Sequence, residues 1–301
     1  MDRCGGDAVI DYPNDRAIAA AAEKHGIPAP VLIRDLVRVV EVLNLKNQDF
    51  FSARSVLAGS MGLRCFDSPR FTVYDADFST SSDTINPPTA MKAKLAYSDD
   101  DLEIAPADLV PHDQGGTAWK SAPVCFTPVF TSLIPNEDDR SFKADVSFRG
   151  MLVDGLEVPF KLPYDLAIWD DDPAVWIMDP HETLAEKILG WGAHRQVKHY
   201  ADLAYIAIVS RPGNGRLIEL DYACAREVLD GKLAVMSQLQ PDVYAAFPNI
   251  DALIADLLAK PQLDGAQWTE IMYLRDQRAR FNPALLEVAV THILVPGLRG
   301  G

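Results

Sequence analysis

Cysteine is scarce in the 301-residue sequence, and its four cysteines stand far apart. Cys4, Cys65, Cys125 and Cys224 form no Cys-x-x-Cys pair. Such pairs are typical of zinc sites, and densely spaced cysteines are typical of secreted domains held by disulfides. The spacing therefore predicts neither a zinc site nor a disulfide framework, and it favours a reduced, cytoplasmic protein.

Long apolar runs and a leader-like beginning are also lacking. The most apolar stretches are interrupted by Asp, Arg or Pro before they reach the roughly 18 to 20 residues of a membrane-spanning helix. The first segment, MDRCGGDAVIDYPNDR, has neither the basic start nor the apolar middle of a signal peptide. We therefore expect no association with a membrane.

Positive charge is in short supply, since 28 Lys and Arg stand against 43 Asp and Glu and the net charge is −15. This balance argues against a surface that attracts nucleic acid in general. A nucleic-acid contact would need a local basic patch.

With 48% hydrophobic residues, the chain is long enough to bury a large core and to form two domains.

The hydrophobic pattern changes along the chain. Residues 14–24 and 28–46 have helical spacing, with Asn14 or Asp15 as the first cap and Gly26 as a stop. From His181 onward the pattern is again helical, after a connector-like segment, WDDDPAVWIMDP. We therefore predict a mixed domain over residues 1–170 and a helical domain over 171–301. Between residues 70 and 165 the pattern is extended, in the segments FTVYDADF, AMKAKLAY, DLEIAP, PVCFTPVF, SFKADVSF and LEVPFKLPY.

Two aspartates lie one residue apart inside the first extended segment. In a strand, Asp75 and Asp77 would point to the same face. Two carboxylates so close repel one another unless a cation lies between them. The spacing therefore raises the question of which cation that would be.

The turn LAGSMG before this strand allows two interpretations. Ala58-Gly59-Ser60-Met61-Gly62 is a variant of the nucleophile elbow, with Ser60 as the nucleophile of a serine hydrolase. However, one candidate strand precedes it and no HGGG-like stretch lies upstream. Alternatively, Gly59 and Ser60 form a tight turn that faces a nucleotide phosphate, and the return strand brings Asp75 and Asp77 beside it. The cation would then be Mg²⁺, which prefers oxygen ligands.

Two blocks of the sequence resemble the AbiEii-like nucleotidyltransferase toxins, a branch of the DNA polymerase β-type nucleotidyltransferase superfamily. In the second block, DPHETLAEKILGWGAHRQVKHYADLAYI, the chain departs from the family at His199, where an acidic residue is common. The matching residues of that block are Glu182, Glu186, Lys187 and Asp202. Those of the first block, AGSMGLRCFDSPRFTVYDADF, are Gly59, Ser60, Arg64, Arg70, Phe71, Thr72, Asp75 and Asp77.

The resemblance implies an α+β fold, in which a polymerase β-like mixed-sheet domain precedes a helical domain that contributes Lys187 and Asp202 to the site. Asp75 and Asp77 would bind Mg²⁺ together with a third carboxylate on a later strand. Asp145 in FKADVSF is the first choice, because Lys143, Asp145 and Ser147 share one face, and Glu157 is the alternative.

The resemblance also implies roles for the other residues. Gly59, Ser60 and Arg64 would bind the nucleotide, and Lys187 would neutralise triphosphate charge. Asp202 would orient Lys187 or help to deprotonate the attacking hydroxyl. Without the resemblance, Glu182, Glu186 and Lys187 would read as ion pairs on a helix surface. Three further cations are predicted to contact RNA: Arg70, Arg195 and Lys198.

The activity implied is Mg²⁺-dependent transfer of a nucleotide from a nucleoside triphosphate to the 3′ end of tRNA, which inhibits translation. A separately encoded antitoxin would be the protein partner. Transfer of AMP to a protein hydroxyl is an alternative, because the same triphosphate site would serve it.

Overall fold

In the computed structural model, the described residues divide into two compact units. The first comprises those within Met1–His112, Gly116–Gly150 and Gly155–Ile177, and the second those within Met151–Asp154 and Met178–Gly301. The residues described are 10–66, 68, 75–81, 87–111, 118–128, 133–134, 140–148, 151–162, 164, 166, 168–169, 172–210, 219–259 and 283–300.

Four helices of the first unit are α1 (Asp15–His25), α2 (Ala29–Asn47), α3 (Gly59–Arg64) and α4 (Pro87–Leu95). The predicted caps of α1 are confirmed. The Asn14 side chain accepts a hydrogen bond from Ala17 N, and Gly26 ends the helix with a φ of 64°. An Asn acceptor before the helix and a left-handed glycine after it satisfy backbone groups that have no partner inside the helix.

A mixed sheet forms the centre of the first unit. Its order is β3-β4-β6-β7-β2-β1-β9-β8, and β5 pairs with β6. The middle strand β2 runs antiparallel to β1 and parallel to β7. The strands are β1 (Ser55–Leu57), β2 (Asp75–Thr80), β3 (Tyr97–Ser98), β4 (Leu102–Pro106), β5 (Leu109–Pro111), β6 (Ala118–Pro128), β7 (Ser141–Ser147), β8 (Leu156–Pro159) and β9 (Ala174–Ile177).

Two segments differ from their predicted structure. AMKAKLAY was predicted to be extended, but α4 covers its first six residues. Met91 and Leu95 lie one helical turn apart and are fully buried, so the tertiary core selects the helix over the alternating pattern. The segment that reads as a connector contains β9, which pairs in parallel with β1 and belongs to the first unit.

Helices build the second unit, as predicted. Its core includes Trp191, which is fully buried with its ring centroid 5.3 Å from that of Tyr200. Within the described residues, no helix combines the length and the apolar character needed to span a membrane. The helices are α5 (Pro180–His194), α6 (Val197–Val209), α7 (Tyr222–Leu239), α8 (Pro241–Tyr244) and α9 (Ile250–Leu258), followed by Pro283–Ala289, a π-helical turn at Val290–Leu294, and Val295–Gly300.

Candidate active site

Three carboxylates meet on one face of the sheet in the first unit. Asp75 and Asp77 lie on β2, and Asp145 lies on β7 directly opposite Asp77. One carboxylate oxygen of each residue lies within 4.8 Å of those of the other two, and all three residues are half-buried. The structure thus brings Asp145 to the aspartate pair. The alternative, Glu157, lies on β8, three strands away from β2.

This group of acids has the donor chemistry that Mg²⁺ prefers. Oxygen ligands surround Mg²⁺ octahedrally at roughly 2.0 to 2.1 Å, so neighbouring ligand atoms lie about 3 Å apart and opposite ones about 4 Å apart. The spacing of Asp75, Asp77 and Asp145 is compatible with that arrangement. A shared cation would also remove the repulsion between the carboxylates. The residues present therefore fit a magnesium ion.

The turn at Gly59 presses against one of these acids. Ala58 N donates a hydrogen bond of 2.8 Å to Asp77 O, and Gly59 follows with a φ of 62°. A Cβ atom on Gly59 would lie 1.8 Å from Asp77 Oδ2. Glycine is therefore required for two reasons: the left-handed backbone and the close approach of the aspartate. Ser60, the next residue, is buried at 3% exposure, so the exposed serine of a nucleophile elbow is not formed.

A buried ionic group lies in the same unit and was not foreseen. Asp35, Arg38 and Glu41 fall outside the apolar stripe of α2, a position that usually means exposure to solvent, yet each is 0% exposed. Arg64 on α3 forms a buried ion pair with Asp35. Spacing of i, i+3 and i+6 puts the three α2 residues along one side of the helix. That spacing is the signal by which the sequence alone could have indicated a buried ionic group on α2.

Arg38 links this buried group to the site electrostatically. Burial lowers the pKa of the Arg38 guanidinium to about 10, and the charges of Asp35, Asp75 and Glu41 oppose that shift. Burial likewise raises the pKa of Glu41 to about 8, against the opposing charge of Arg38. The guanidinium carbon also lies 5.1 Å from the centroid of the Phe142 ring on β7.

In the second unit, Lys187 on α5 and Asp202 on α6 form an ion pair. Lys187 Nζ lies 2.8 Å from Asp202 Oδ2, with the two side chains 9% and 3% exposed. The structure therefore brings together two of the predicted catalytic residues. A pair this deeply buried differs from the solvated helix-surface pairing that the sequence also allowed, because Lys and Asp are rarely buried unless they pair with one another or with another charge.

A second buried pair involves a residue that sequence reasoning missed. Lys232 Nζ on α7 lies 2.6 Å from Glu182 Oε1 and 2.8 Å from Glu186 Oε1. Glu182 Oε2 also accepts hydrogen bonds from Leu152 N at 3.0 Å and Val153 N at 2.9 Å. Glu182 is fully buried, so it fixes the 152–153 backbone and Lys232 inside the second unit. No motif marked Lys232 in the sequence.

Comparison with protein families decides the identity of this arrangement. The model of the family described as "Nucleotidyl transferase AbiEii toxin, Type IV TA system" matches residues 44–282, which is most of the chain. The chain belongs to the AbiEii nucleotidyltransferase toxin family. It is therefore a nucleotidyltransferase toxin of a type IV toxin–antitoxin family, and the predicted family is confirmed.

The solved structure of one nucleotidyltransferase is similar to this AbiEii family member in fold. MenT4, a nucleotidyltransferase toxin from Mycobacterium tuberculosis H37Rv, superposes with a TM-score of 0.63 at 16% identity, over 96% of this chain and 93% of that one. A putative nucleotidyltransferase from H. pylori has a TM-score of 0.44 at 16% identity, over 90% and 96% of the two chains. Among proteins with curated descriptions, none matches the sequence significantly.

The remaining predicted residues of this AbiEii protein lie in different surroundings. The Arg64 side chain is 1% exposed and faces Asp35, so its nucleotide-binding role stays a prediction. Arg195 is exposed, has a φ of 54°, and pairs with Asp256 at 2.5 Å. Lys198 is half-buried at the start of α6. Arg70, like Phe71 and Thr72 of the same motif, lies outside the described residues.

Proposed function

We propose that this toxin transfers a nucleoside monophosphate from a nucleoside triphosphate to the 3′ end of tRNA in the cytoplasm, in a Mg²⁺-dependent reaction that inhibits translation. The observation that carries the proposal is the group of Asp75, Asp77 and Asp145, whose carboxylate oxygens lie within 4.8 Å of one another in a nucleotidyltransferase of the AbiEii family. A separately encoded antitoxin would restrain the activity.

Within this proposal, Asp75, Asp77 and Asp145 hold the metal ion. When bound there, Mg²⁺ supplies a Lewis acid that stabilises charge on the attacking and leaving oxygens at phosphorus. The Gly59 amide and the Ser60 hydroxyl bind the phosphates beside Asp77. The support for their position is the approach of the Gly59 backbone to the Asp77 carboxylate.

The proposed role of Lys187 is to neutralise triphosphate charge, with Asp202 setting the position of its ammonium group. The buried 2.8 Å ion pair supports this role, because Asp202 limits the orientations that the flexible lysine can adopt. Such catalysis consists mainly of positioning and electrostatic stabilisation, as in other phosphoryl transfers. Arg64 would act from the buried pair with Asp35, through the position of α3.

An RNA acceptor requires local attraction that overcomes the net charge of −15. We propose Arg70, Arg195 and Lys198 as the cations that contact phosphates of the RNA. Arg195 supports this assignment because it is exposed while held in a left-handed conformation, which positions its side chain at the end of α5. A few phosphate contacts of this kind are sufficient to make RNA affinity strongly dependent on salt.

The test is a labelling gel. The protein is incubated with each of the four α-labelled nucleoside triphosphates, with and without Mg²⁺, and with total tRNA or total cell protein. We expect Mg²⁺-dependent label on tRNA, and none with Asp77→Asn, which keeps the shape of the side chain but removes its charge. Label on protein instead of RNA would identify the protein-modifying alternative. The absence of label on either acceptor would overturn nucleotide transfer as the function.

A further inference from the structure

A lysine lies beside the three acids on the same face of the sheet. Lys143 precedes Asp145 by two residues on β7 and is the register partner of Asp75 on β2. Residues two apart on a strand share a face, and paired residues on neighbouring strands lie about 4.8 Å apart. Phe142 and Ala144, on the opposite face, are buried. Lys143 is therefore next to Asp75 on the face that bears the acids.

This lysine differs from Lys187, Lys232 and Lys92 of the same chain. Lys187 and Lys232 are buried in ion pairs, and Lys92 on α4 pairs with Asp108 at 2.6 Å. The Lys143 side chain is exposed, and among the residues that the structure describes it forms no hydrogen bond or ion pair. Because the side chain is exposed, a ligand that binds at the acids can reach its ammonium group.

The position of Lys143 also indicates which part of a ligand it would meet. The Gly59 turn contacts the acid group at Asp77. Lys143 lies beside Asp75, which precedes Asp77 on β2 by two residues, or about 7 Å. In an in-line displacement at phosphorus, the attacking oxygen and the leaving pyrophosphate lie on opposite sides of the phosphorus. If the turn binds the leaving pyrophosphate, Lys143 is displaced from it along β2, which fits a position on the side of the attacking group.

We propose that Lys143 binds the 3′-terminal phosphodiester of the acceptor polynucleotide and thereby places its 3′ hydroxyl for attack. This assignment rests on the proposed function. The 3′ oxygen forms a bond to the α-phosphorus, the bond from that phosphorus to the bridging oxygen breaks, and pyrophosphate leaves with the bonding electron pair. The hydroxyl proton passes to a carboxylate of the site and then to solvent. Lys143 contributes only its charge, so its role is in binding and orientation.

The experiment combines a protein change with an RNA change. Transfer is measured for wild type, Lys143→Gln and Lys143→Arg, on RNAs that differ only in the last internucleotide linkage, which is either a phosphodiester or a neutral methylphosphonate. Lys24→Gln is the control, because it removes the same charge from an exposed position on α1 of the same unit. Thermal unfolding of each variant verifies that the fold is intact.

We expect Lys143→Gln to lower kcat/KM for RNA by about 10- to 100-fold, the range for loss of a charge-assisted hydrogen bond, while KM for the nucleoside triphosphate changes less than about twofold. Lys143→Arg should retain most activity, and Lys24→Gln all of it. The methylphosphonate should lower wild-type transfer by a similar factor and should not lower transfer by Lys143→Gln any further.

Two results would overturn the assignment without affecting the proposed function. One is a Lys143→Gln variant as active on RNA as wild type. The other is that the methylphosphonate lowers transfer by the same factor in Lys143→Gln as in wild type, so that the two effects are independent. If the wild type labels protein and no RNA, the proposed acceptor fails and this role of Lys143 fails with it. Whether the wild type labels RNA therefore distinguishes failure of the Lys143 assignment from failure of the proposed acceptor.

Discussion

Lys187 Nζ lies 2.8 Å from Asp202 Oδ2, and neither side chain is more than a tenth exposed. Removing one partner of such a pair leaves the other charge buried and uncompensated, which typically costs about 3 to 5 kcal/mol of stability. Replacing both partners by apolar residues is often close to neutral. The pair therefore permits stability and catalysis to be separated.

Lys187→Met should lower the free energy of unfolding by about 3 kcal/mol or more, because Asp202 loses its counter-charge. The double variant Lys187→Met/Asp202→Leu should regain much of that stability and yet transfer no nucleotide. Urea unfolding and kcat/KM measure the two effects, and loss of a charge contact to the transition state should cost transfer about 2 to 4 kcal/mol. An active double variant would show that Lys187 only supports the fold.

Asp75→Asn and Asp77→Asn should each abolish transfer. In metal-free buffer each should raise the melting temperature slightly, because one of the three mutually repelling carboxylates becomes neutral. Adding Mg²⁺ should stabilise the wild type and neither variant. Asp100→Asn, at an exposed position of the same unit, is the control that should leave transfer unchanged. Near-full activity of either site variant with Mg²⁺ would contradict metal binding by these acids.

Gly59→Ala should destabilise the protein and stop transfer. The new Cβ would lie 1.8 Å from Asp77 Oδ2, and the left-handed backbone costs about a further 1 to 2 kcal/mol. Shortening the aspartate in Gly59→Ala/Asp77→Ala should relieve the clash with the carboxylate and leave only the Asp77 Cβ at 2.9 Å, so the two changes should be less destabilising together than their sum. Gly300→Ala is the matched control, because a Cβ there meets nothing within 4 Å. Strictly additive changes in unfolding free energy would argue against the contact.

The buried Glu41 predicts a pH-dependent stability. Its carboxyl keeps a proton in the folded protein up to a pKa of about 8, whereas the unfolded chain loses that proton near 4.5. Between these values the folded state binds more protons, so the free energy of unfolding falls as pH rises. Relative to wild type, Glu41→Gln should become progressively more stable with pH in this window, by at most about 1.4 kcal/mol per pH unit.

Denaturant unfolding at several pH values between 4.5 and 8 tests this dependence. The matched control is Glu103→Gln, which neutralises an exposed glutamate of β4 and should give a difference that does not vary with pH. A constant difference for Glu41→Gln as well would mean that Glu41 is ionised in the folded protein throughout.

The double variant Arg195→Glu/Lys198→Glu should reduce transfer to RNA strongly while leaving nucleoside triphosphate binding nearly unchanged. Transfer by the wild type should decline between roughly 50 and 200 mM salt, with a log–log slope set by a few phosphates. Asp256→Ala controls for loss of the ion pair with Arg195, because it breaks the same 2.5 Å contact and keeps both cations. Salt-insensitive transfer would favour a protein or small-molecule acceptor.

Local signals predicted part of this fold. The Asn14 cap and the left-handed Gly26 act within a few residues, so the bounds of α1 could be read from the sequence. The alternation in SFKADVSF likewise predicted the face on which Asp145 lies, because side-chain direction in a strand depends only on position. The helical second half followed from its periodicity.

Other features depend on distant contacts. The register that puts Asp77 opposite Asp145 joins strands far apart in the chain, and only the folded sheet fixes it. The partner of Arg64, Asp35, is equally remote, and so is the Lys232 partner of Glu182. AMKAKLAY has a pattern compatible with both strand and helix, and burial of Met91 and Leu95 decides between them.

The parallel pairing of β9 with β1 has a consequence for dividing the protein experimentally. A fragment cut at residue 170 would lose β9, the strand between β1 and β8, and would expose unsatisfied backbone groups on both remaining edges. The same edges are present on the ribosome until Ala174–Ile177 has been synthesised. β9 fills the gap between β1 and β8, and it is synthesised after β7. The sheet of this toxin can therefore be completed only after the third acid, Asp145, has been made.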